Sequence, residues 1–341
     1  MGRLRRRLLA TGAATVAGLL LAEALVRGRY GAPLPEHLPL MEVVADPRLG
    51  WRMVPGQDHR TYAHEVRVNS LGLRGPEIPA EREPDELRVL VLGDSTTYGQ
   101  GVAEEDTLPA VIEATLGELA PDRRWRAINA GHRGYATNQE LALLDELGPR
   151  LDPDIVLLVW FENDLEDIDI PRNHEQFARL GQVPFDTRDQ LAGPSLWRWH
   201  GVQLLRRSAL LMEVHDRLLD RKGAPPAPGD IERGLQRAGE HLMDLATRSQ
   251  EHGWQAAVAV IPHEGALTTG SAHARIAARV LAQAEQSGLP ALDLLPALAE
   301  FAATTGGSTL LPYDGHYSGA ANRAMGRSAA QQLLEVVDLE R

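Results

Sequence analysis

The stretch LRVLVLGDSTTYGQGV, Leu87 to Val102, decides how the remainder of the chain is read. Val89-Leu90-Val91-Leu92 has the length and composition of a buried strand. The run stops at Gly93-Asp94-Ser95, with Thr96, Thr97, Tyr98 and Gly99 close behind. Such a change is either an ordinary strand-to-helix turn with a capping side chain, or a hydroxyl presented for chemistry at the edge of a sheet. The segments downstream decide between the two.

From residue 87 onward, strand-like and helix-like segments alternate. Strands are expected at Leu87–Leu92, Trp125–Asn129, Ile155–Trp160, Ala256–Ile261 and Pro290–Leu294. Helices are expected over Thr107–Leu119, from Asn138, and over Gly229–Gly253, Ala272–Ser287 and Gly319–Val337, the last with Ser318 as its cap. IVLLVW (155–160) is apolar at every position, as in parallel strands covered on both faces. The alternation predicts an α/β sandwich around a central parallel sheet.

Upstream, Gly31 to Pro39 reads as a linker and residues 41–80 as a small β-rich extension, where Val66, Val68 and Leu71 are interspersed with polar residues. Residues 165–228 break the rhythm and read as an insertion over the carboxyl edge of the sheet. It could serve as a lid, a membrane-lying element or a dimer surface. Its end is rich in proline, and its basic, aromatic piece from Trp197 to Arg207 favours contact with lipid or substrate.

The chain has 341 residues, 43% of them hydrophobic, enough to bury one large core with a small appendage. Its formal net charge of −12 speaks against nucleic acid as a partner. There is no cysteine, which excludes disulfides, thiolate zinc sites, a cysteine nucleophile and a lipid-modified N-terminal cysteine. The N-terminus carries Arg3, Arg5, Arg6 and Arg7. A run of roughly 19 mostly apolar residues follows, about the length that crosses a bilayer core. The exit Val26-Arg27-Gly28-Arg29 lacks the small-x-small pattern of a cleavage site. Residues 1–30 are therefore expected to be an uncleaved signal anchor, with the basic end in the cytoplasm and the rest of the chain outside.

In open parallel sheets, ligands sit beyond the carboxyl ends of the strands. There the sequence places Gly93-Asp94-Ser95 after the first strand and NAGHRGYATN after the second. Asn163-Asp164 follows the third strand and Pro262-His263-Glu264 the fourth, and PYDGHYS precedes the last helix. A serine hydroxyl attacks only when a base takes its proton. His316 can supply that base, since imidazole titrates near working pH. Asp314, two residues earlier on the same side of an extended backbone, can hold the ring in one tautomer. The oxyanion needs donors, which the N–H of Ser95, the N–H of Gly134 and the side-chain NH2 of Asn163 can provide.

These blocks resemble those of the SGNH (GDSL) hydrolase family, over about residues 87–341. VLGDSTTYGQG looks like the first block, with Ser95 as nucleophile. NAGHRGYATNQEL looks like the glycine block, aligned on Gly134, with Gly131 as the other glycine. The asparagine block appears as Phe161-Glu162-Asn163-Asp164, with Phe161 where the family often has glycine. YDGH gives the last block as Asp-x-His, where Asp-x-x-His is frequent. VNSLGLRG (Val68–Gly75) and the arginine-led anchor look like bacterial membrane-linked members. The resemblance implies a flavodoxin-like three-layer α/β/α fold and ester chemistry on acyl groups, with no metal or other cofactor.

Other constellations are weaker. There is no dinucleotide fingerprint, no Walker loop and no Gly-x-Ser-x-Gly elbow around Ser95. His174, His200, His215, His241, His252 and His273 lack ligand spacing and read as surface or lid residues, and His263 as an exposed loop residue. Glu162 and Asp164 read as loop-ordering groups. The expected function is a serine esterase working outside the cytoplasmic membrane on acyl esters. Its rival is an O-acyl(acetyl)transferase or deacetylase acting on envelope polysaccharide. A third reading is a non-catalytic envelope scaffold.

Overall fold

The structure, a computed structural model, describes residues 2–180, 194–219, 228–305 and 308–339. It opens with helix α1 (Gly2–Tyr30) and two antiparallel hairpins, β1 (Val43–Asp46) with β2 (Gly50–Met53) and β3 (Asp58–Thr61) with β4 (His64–Arg67). Five further strands follow: β5 (Glu86–Gly93), β6 (Arg124–Gly131), β7 (Ile155–Trp160), β8 (Gln255–Val260) and β9 (Ala291–Asp293). They pair in parallel in the order β6-β5-β7-β8-β9. Counted from β5, this is the flavodoxin-like doubly wound order 2-1-3-4-5, whose switch point lies between β5 and β7.

The helices are α2 (Ser95–Tyr98), α3 (Leu108–Leu119), α4 (Thr137–Leu151), α5 (Ile170–Leu180), α6 (Pro194–Leu205), α7 (Ala209–Leu219), α8 (Pro228–His252), α9 (Ala272–Gln286), α10 (Leu295–Thr305) and α11 (Gly319–Val336). Successive side chains of a strand point to opposite faces, so the sheet builds two cores. Leu90, Leu92, Val156, Leu158 and Trp160 pack with α4, α8 and α9. Val89, Val91, Ile155, Leu157 and Val159 pack with α3, α10 and α11. This is a three-layer α/β/α sandwich. Every position of β7 is buried, which explains its uninterrupted apolar run.

The expected strands and helices of the sandwich are present, with ends shifted by a residue or two, except that α4 runs four residues beyond the NQELALLDEL stretch read as its helix. Thr107 and Ser318 cap α3 and α11 by accepting from Ala110 N–H and Ala321 N–H. The β-rich extension consists of the two hairpins. One helix was not anticipated: α10, which begins Leu295-Pro296. A proline in the first turn lacks only an N–H that has no helical partner there. Residues 165–228 contain α5, α6 and α7. Residues 181–193 and 220–227 of that insertion, with Pro225 and Pro226, lie outside the described residues.

Candidate active site

The serine is placed by its two neighbouring strands. Strand β5 ends at Gly93, and the Asp94 carboxylate caps α2, accepting from Thr96 N–H at 2.7 Å and Thr96 Oγ1 at 2.5 Å. Ser95 is the first residue of that helix. Gly131 lets the helix settle on β6: a Cβ there would meet the Tyr98 nitrogen at 2.2 Å. The extension then fastens the far side. Arg74 is wholly buried and donates to the carbonyls of Tyr98 (3.0 Å), Gly99 (2.7 Å) and Val102 (2.9 Å), and to Glu104 (2.8 Å). Its guanidinium also lies 5.2 Å from the Tyr98 ring centre. His59 meets the Tyr98 hydroxyl at 2.7 Å. The NSLGLRG stretch thus braces the turn behind Ser95, which nothing in its letters indicated.

Asp314 and His316 lie in the loop between α10 and α11. His316 Nε2 is 2.8 Å from Ser95 Oγ. Its Nδ1 hydrogen-bonds Asp314 Oδ1, which also accepts the His316 backbone N–H at 2.8 Å. The other Asp314 oxygen accepts from the Tyr62 hydroxyl. Arg206 Nη1 reaches that hydroxyl at 3.5 Å, with its guanidinium 5.8 Å from the ring centre. Burial alone would raise the Asp314 carboxyl. The hydrogen bonds and charge of His316 and the Tyr62 hydrogen bond outweigh it and hold the group at about 2. Burial and the Asp314 charge push the Tyr62 phenol upward, so it stays a donor. Sequence reasoning missed Tyr62 and Arg206. They sit far from the motif in sequence, and neither carries a spacing signal.

The three expected oxyanion donors come from three loops. The N–H of Ser95 opens α2, where backbone donors lack a helical acceptor. Gly134 turns the loop after β6 with φ of 75°, a conformation that favours glycine. Gly131 is instead buried beneath α2. Asn163 stands on a single turn of 3₁₀ helix, Glu162–Leu165, beyond β7. Its Nδ2 donates to Asp94 Oδ2 at 2.8 Å. An amide NH2 carries two protons, so one stays available for substrate oxygen. Asn163→Ala is expected to lower kcat by about 10²–10³-fold with little change in KM, since the donor acts on charge that develops in the transition state. Steady-state kinetics measures both parameters.

Beneath this loop lies a buried group of carboxyls. Asp164 Oδ2 accepts from Phe161 N–H at 3.0 Å, the loop-ordering role expected of it. Glu140 on α4 is fully buried, and neither of its oxygens meets a donor among the described residues. Burial, with the charges of Asp164 and Asp94 adding to it, raises the Glu140 carboxyl well above its ordinary range, so this group holds a proton. A raised folded value means that its stabilising effect is complete below the unfolded carboxyl value and is lost as pH rises through the folded one. Glu140→Gln, which cannot ionise, is therefore expected to gain stability over the parent by about 1.4 kcal/mol per pH unit above about pH 4.5, until the parent ionises. Paired denaturant titrations between pH 5 and 9 measure the difference.

The histidines are more ordered than their spacing suggested. His273 Nδ1 is 2.7 Å from Glu162 Oε2 and its ring stacks on His263 at 4.0 Å. His241 meets Asp167 at 2.8 Å, and His252 stacks on Trp254 at 4.3 Å. Of the surface and lid readings, the surface one holds for these: they stand on α8 and α9 of the sandwich. Glu162, His263 and His273 bring one ligand atom each within 4.8 Å of the others. The two stacked rings are inclined by 16°, and the His273–Glu162 hydrogen bond ties them to the end of β7.

No protein-family model matches the sequence, and no curated protein does. Solved structures similar to the chain include acetyl xylan esterases and members of the lipolytic protein G-D-S-L family. An acetyl xylan esterase, AlAXEase, is 12% identical over 74% of this chain and 100% of its own, with a TM-score of 0.44. A member of the lipolytic protein G-D-S-L family from Veillonella parvula is 13% identical over 73% and 97%, with a TM-score of 0.41. A variant of Axe2, an acetyl xylan esterase from Geobacillus stearothermophilus, is 15% identical over 72% and 94%, with a TM-score of 0.44.

Proposed function

We propose that the protein is a membrane-anchored serine esterase of the SGNH type, its catalytic domain outside the cytoplasmic membrane. The observation that carries this reading is the hydrogen-bonded series Ser95 Oγ, His316 Nε2, His316 Nδ1, Asp314. Ser95 attacks the acyl carbon while His316 Nε2 takes the hydroxyl proton. The oxyanion is held by the N–H groups of Ser95 and Gly134 and by the Asn163 amide. His316 returns the proton to the departing alcohol, leaving an acyl-serine. A water, deprotonated by the same nitrogen, attacks that ester and releases the acid. The anchor is α1, the one described helix long and apolar enough to cross a bilayer. Its arginine-rich start favours a cytoplasmic N-terminus. Hydrolysis of p-nitrophenyl esters of graded length, with Ser95→Ala as control, tests the chemistry. Equal rates for the two proteins would overturn it.

A second acceptor is favoured by one feature. A cavity of about 220 Å³ beside Asn163 is lined by Glu162, Asn163, Leu165, Glu166, Asp230 and Ile231. Carboxylates at its wall suit a polyhydroxylated group better than a long alkyl chain. This supports acylated sugar as the substrate, or a sugar hydroxyl as acceptor in place of water. Comparing deacetylation of, and acyl transfer to, acetylated oligosaccharides separates the two.

A further inference from the structure

Helices α6 and α7 wear their apolar residues on the outside. On α6 the inner face carries Trp199 and Gln203, which are buried, and Gln203 accepts the Glu36 backbone N–H at 2.7 Å. The outer face carries Trp197, 80% exposed, and Leu204, 65% exposed, seven residues apart, with Leu205 beside them, and Val202 is exposed on the flank toward Trp199. On α7, Ala209 and Met212 face inward, while Leu211, Val214 and Leu218, the last 78% exposed, form an outward stripe. Water-facing helices place polar residues on that side, and a contiguous apolar surface marks a contact.

The place of this surface says what covers it. The α6–α7 corner is fixed to α1 by Glu23, whose carboxylate accepts from Ser208 Oγ (2.7 Å), Ala209 N–H (3.0 Å) and Leu210 N–H (2.9 Å). Arg27 of α1 donates to the Arg207 carbonyl at 2.5 Å. Glu23 stands near the end of the apolar run of α1, whose leucines are all exposed. The corner is thereby held at the depth where that run leaves the hydrocarbon. Arg198 and Arg207 are exposed beside the apolar stripes, and Arg27 and Arg29 lie at the same end of α1. Cations at this level suit anionic headgroups.

We infer that α6 and α7 form a second membrane contact, their outward apolar faces resting in the lipid surface of the bilayer that α1 crosses. The inference rests on reading α1 as the anchor. It also brings the reaction close to lipid. The Tyr313 hydroxyl donates to the Ala209 carbonyl at 3.1 Å, and Arg206 follows α6 directly, so about one helix diameter separates the membrane from the triad loop.

The chain has no cysteine, so single-cysteine labelling is clean. Spin labels at Leu204→Cys and Leu218→Cys are compared with Leu20→Cys in α1 and Leu119→Cys, an exposed leucine ending α3. The whole chain is held in phosphatidylcholine–phosphatidylglycerol nanodiscs. Collision with oxygen and with a nickel chelate is measured by power saturation. The expected result is oxygen-over-nickel accessibility at Leu204 and Leu218 several-fold above Leu119, approaching Leu20. Values equal to Leu119 while Leu20 is lipid-exposed overturn the inference. Shielding from both reagents, the sign of a protein partner, overturns it too. A water-exposed Leu20 overturns it together with the anchor. Hydrolysis of a soluble ester in the same discs reports the esterase reading separately: lipid contact without hydrolysis sinks that reading and leaves this one standing.

Discussion

Ser95→Ala is expected to lower kcat by on the order of 10⁶-fold. The residue loses only its Oγ, and the acyl-enzyme route depends on that atom. Water attacking directly would still meet the oxyanion donors, so a small residual rate is expected above the uncatalysed one. Stability is expected to change little. The side chain is half-buried, and the hydroxyl's hydrogen bond is to His316, a neighbour that keeps its Asp314 contact when the serine is gone. The measurement is paired: single-turnover kinetics on an activated ester, and a melting curve. A full-rate alanine variant would refute the nucleophile. A large fall in melting temperature would mean that the loss of rate reported unfolding.

Asp314→Asn is expected to lower kcat by about 10⁴-fold while leaving the fold intact. The reason is the direction of one hydrogen bond. The Asp314 carboxylate can only accept, which obliges His316 to carry its proton on Nδ1 and to face Ser95 with a bare Nε2. An amide can present its NH2 to Nδ1 instead. The ring then carries its proton on Nε2 and is no longer a base toward the serine. With the aspartate held at about 2, the carboxylate stays ionised through the range in which imidazole works, so no activity limb near neutrality should arise from it. Recovery of base catalysis in the asparagine variant at neutral pH would show that the histidine is oriented by something else. In that case Tyr62 and Arg206 would be bystanders as well.

The sandwich was legible because its signals are local. Strand β7 was placed to the residue, since burial on both faces leaves no polar position to blur its ends. Ser95, Asn163, Asp314 and His316 were legible because each follows a strand or precedes a helix within a few residues, where a sheet gathers its ligands. Arg74, Tyr62, Arg206 and Glu140 were not. The three basic and phenolic ones act through partners distant in sequence: Tyr62 meets Asp314 across 252 residues, and Arg206 meets Tyr62 across 144. Arginine in a polar stretch has the pattern of a solvated residue, and only the fold reveals that Arg74 is buried against three carbonyls. Glu140 reads as the polar side of an amphipathic helix, yet it lies in the protein interior.

The buried Arg74 also redraws the working unit. By its strand–helix rhythm the sandwich begins near residue 87, and an economical gene would start there. Such a trimmed product would take the Arg74 guanidinium from the carbonyls of Tyr98, Gly99 and Val102, leaving the first two only the Asn129 amide at 3.4 Å and the Val102 N–H at 3.3 Å, and would take His59 from the Tyr98 phenol. A hydrogen bond from a charged donor contributes about 1.5–3 kcal/mol, so losing several at once removes a substantial part of what holds a domain together. The hairpins ahead of the sandwich are thus the rear wall of the Ser95 turn, and a shortened chain that keeps every motif of the sandwich would lose the surface those motifs lean on.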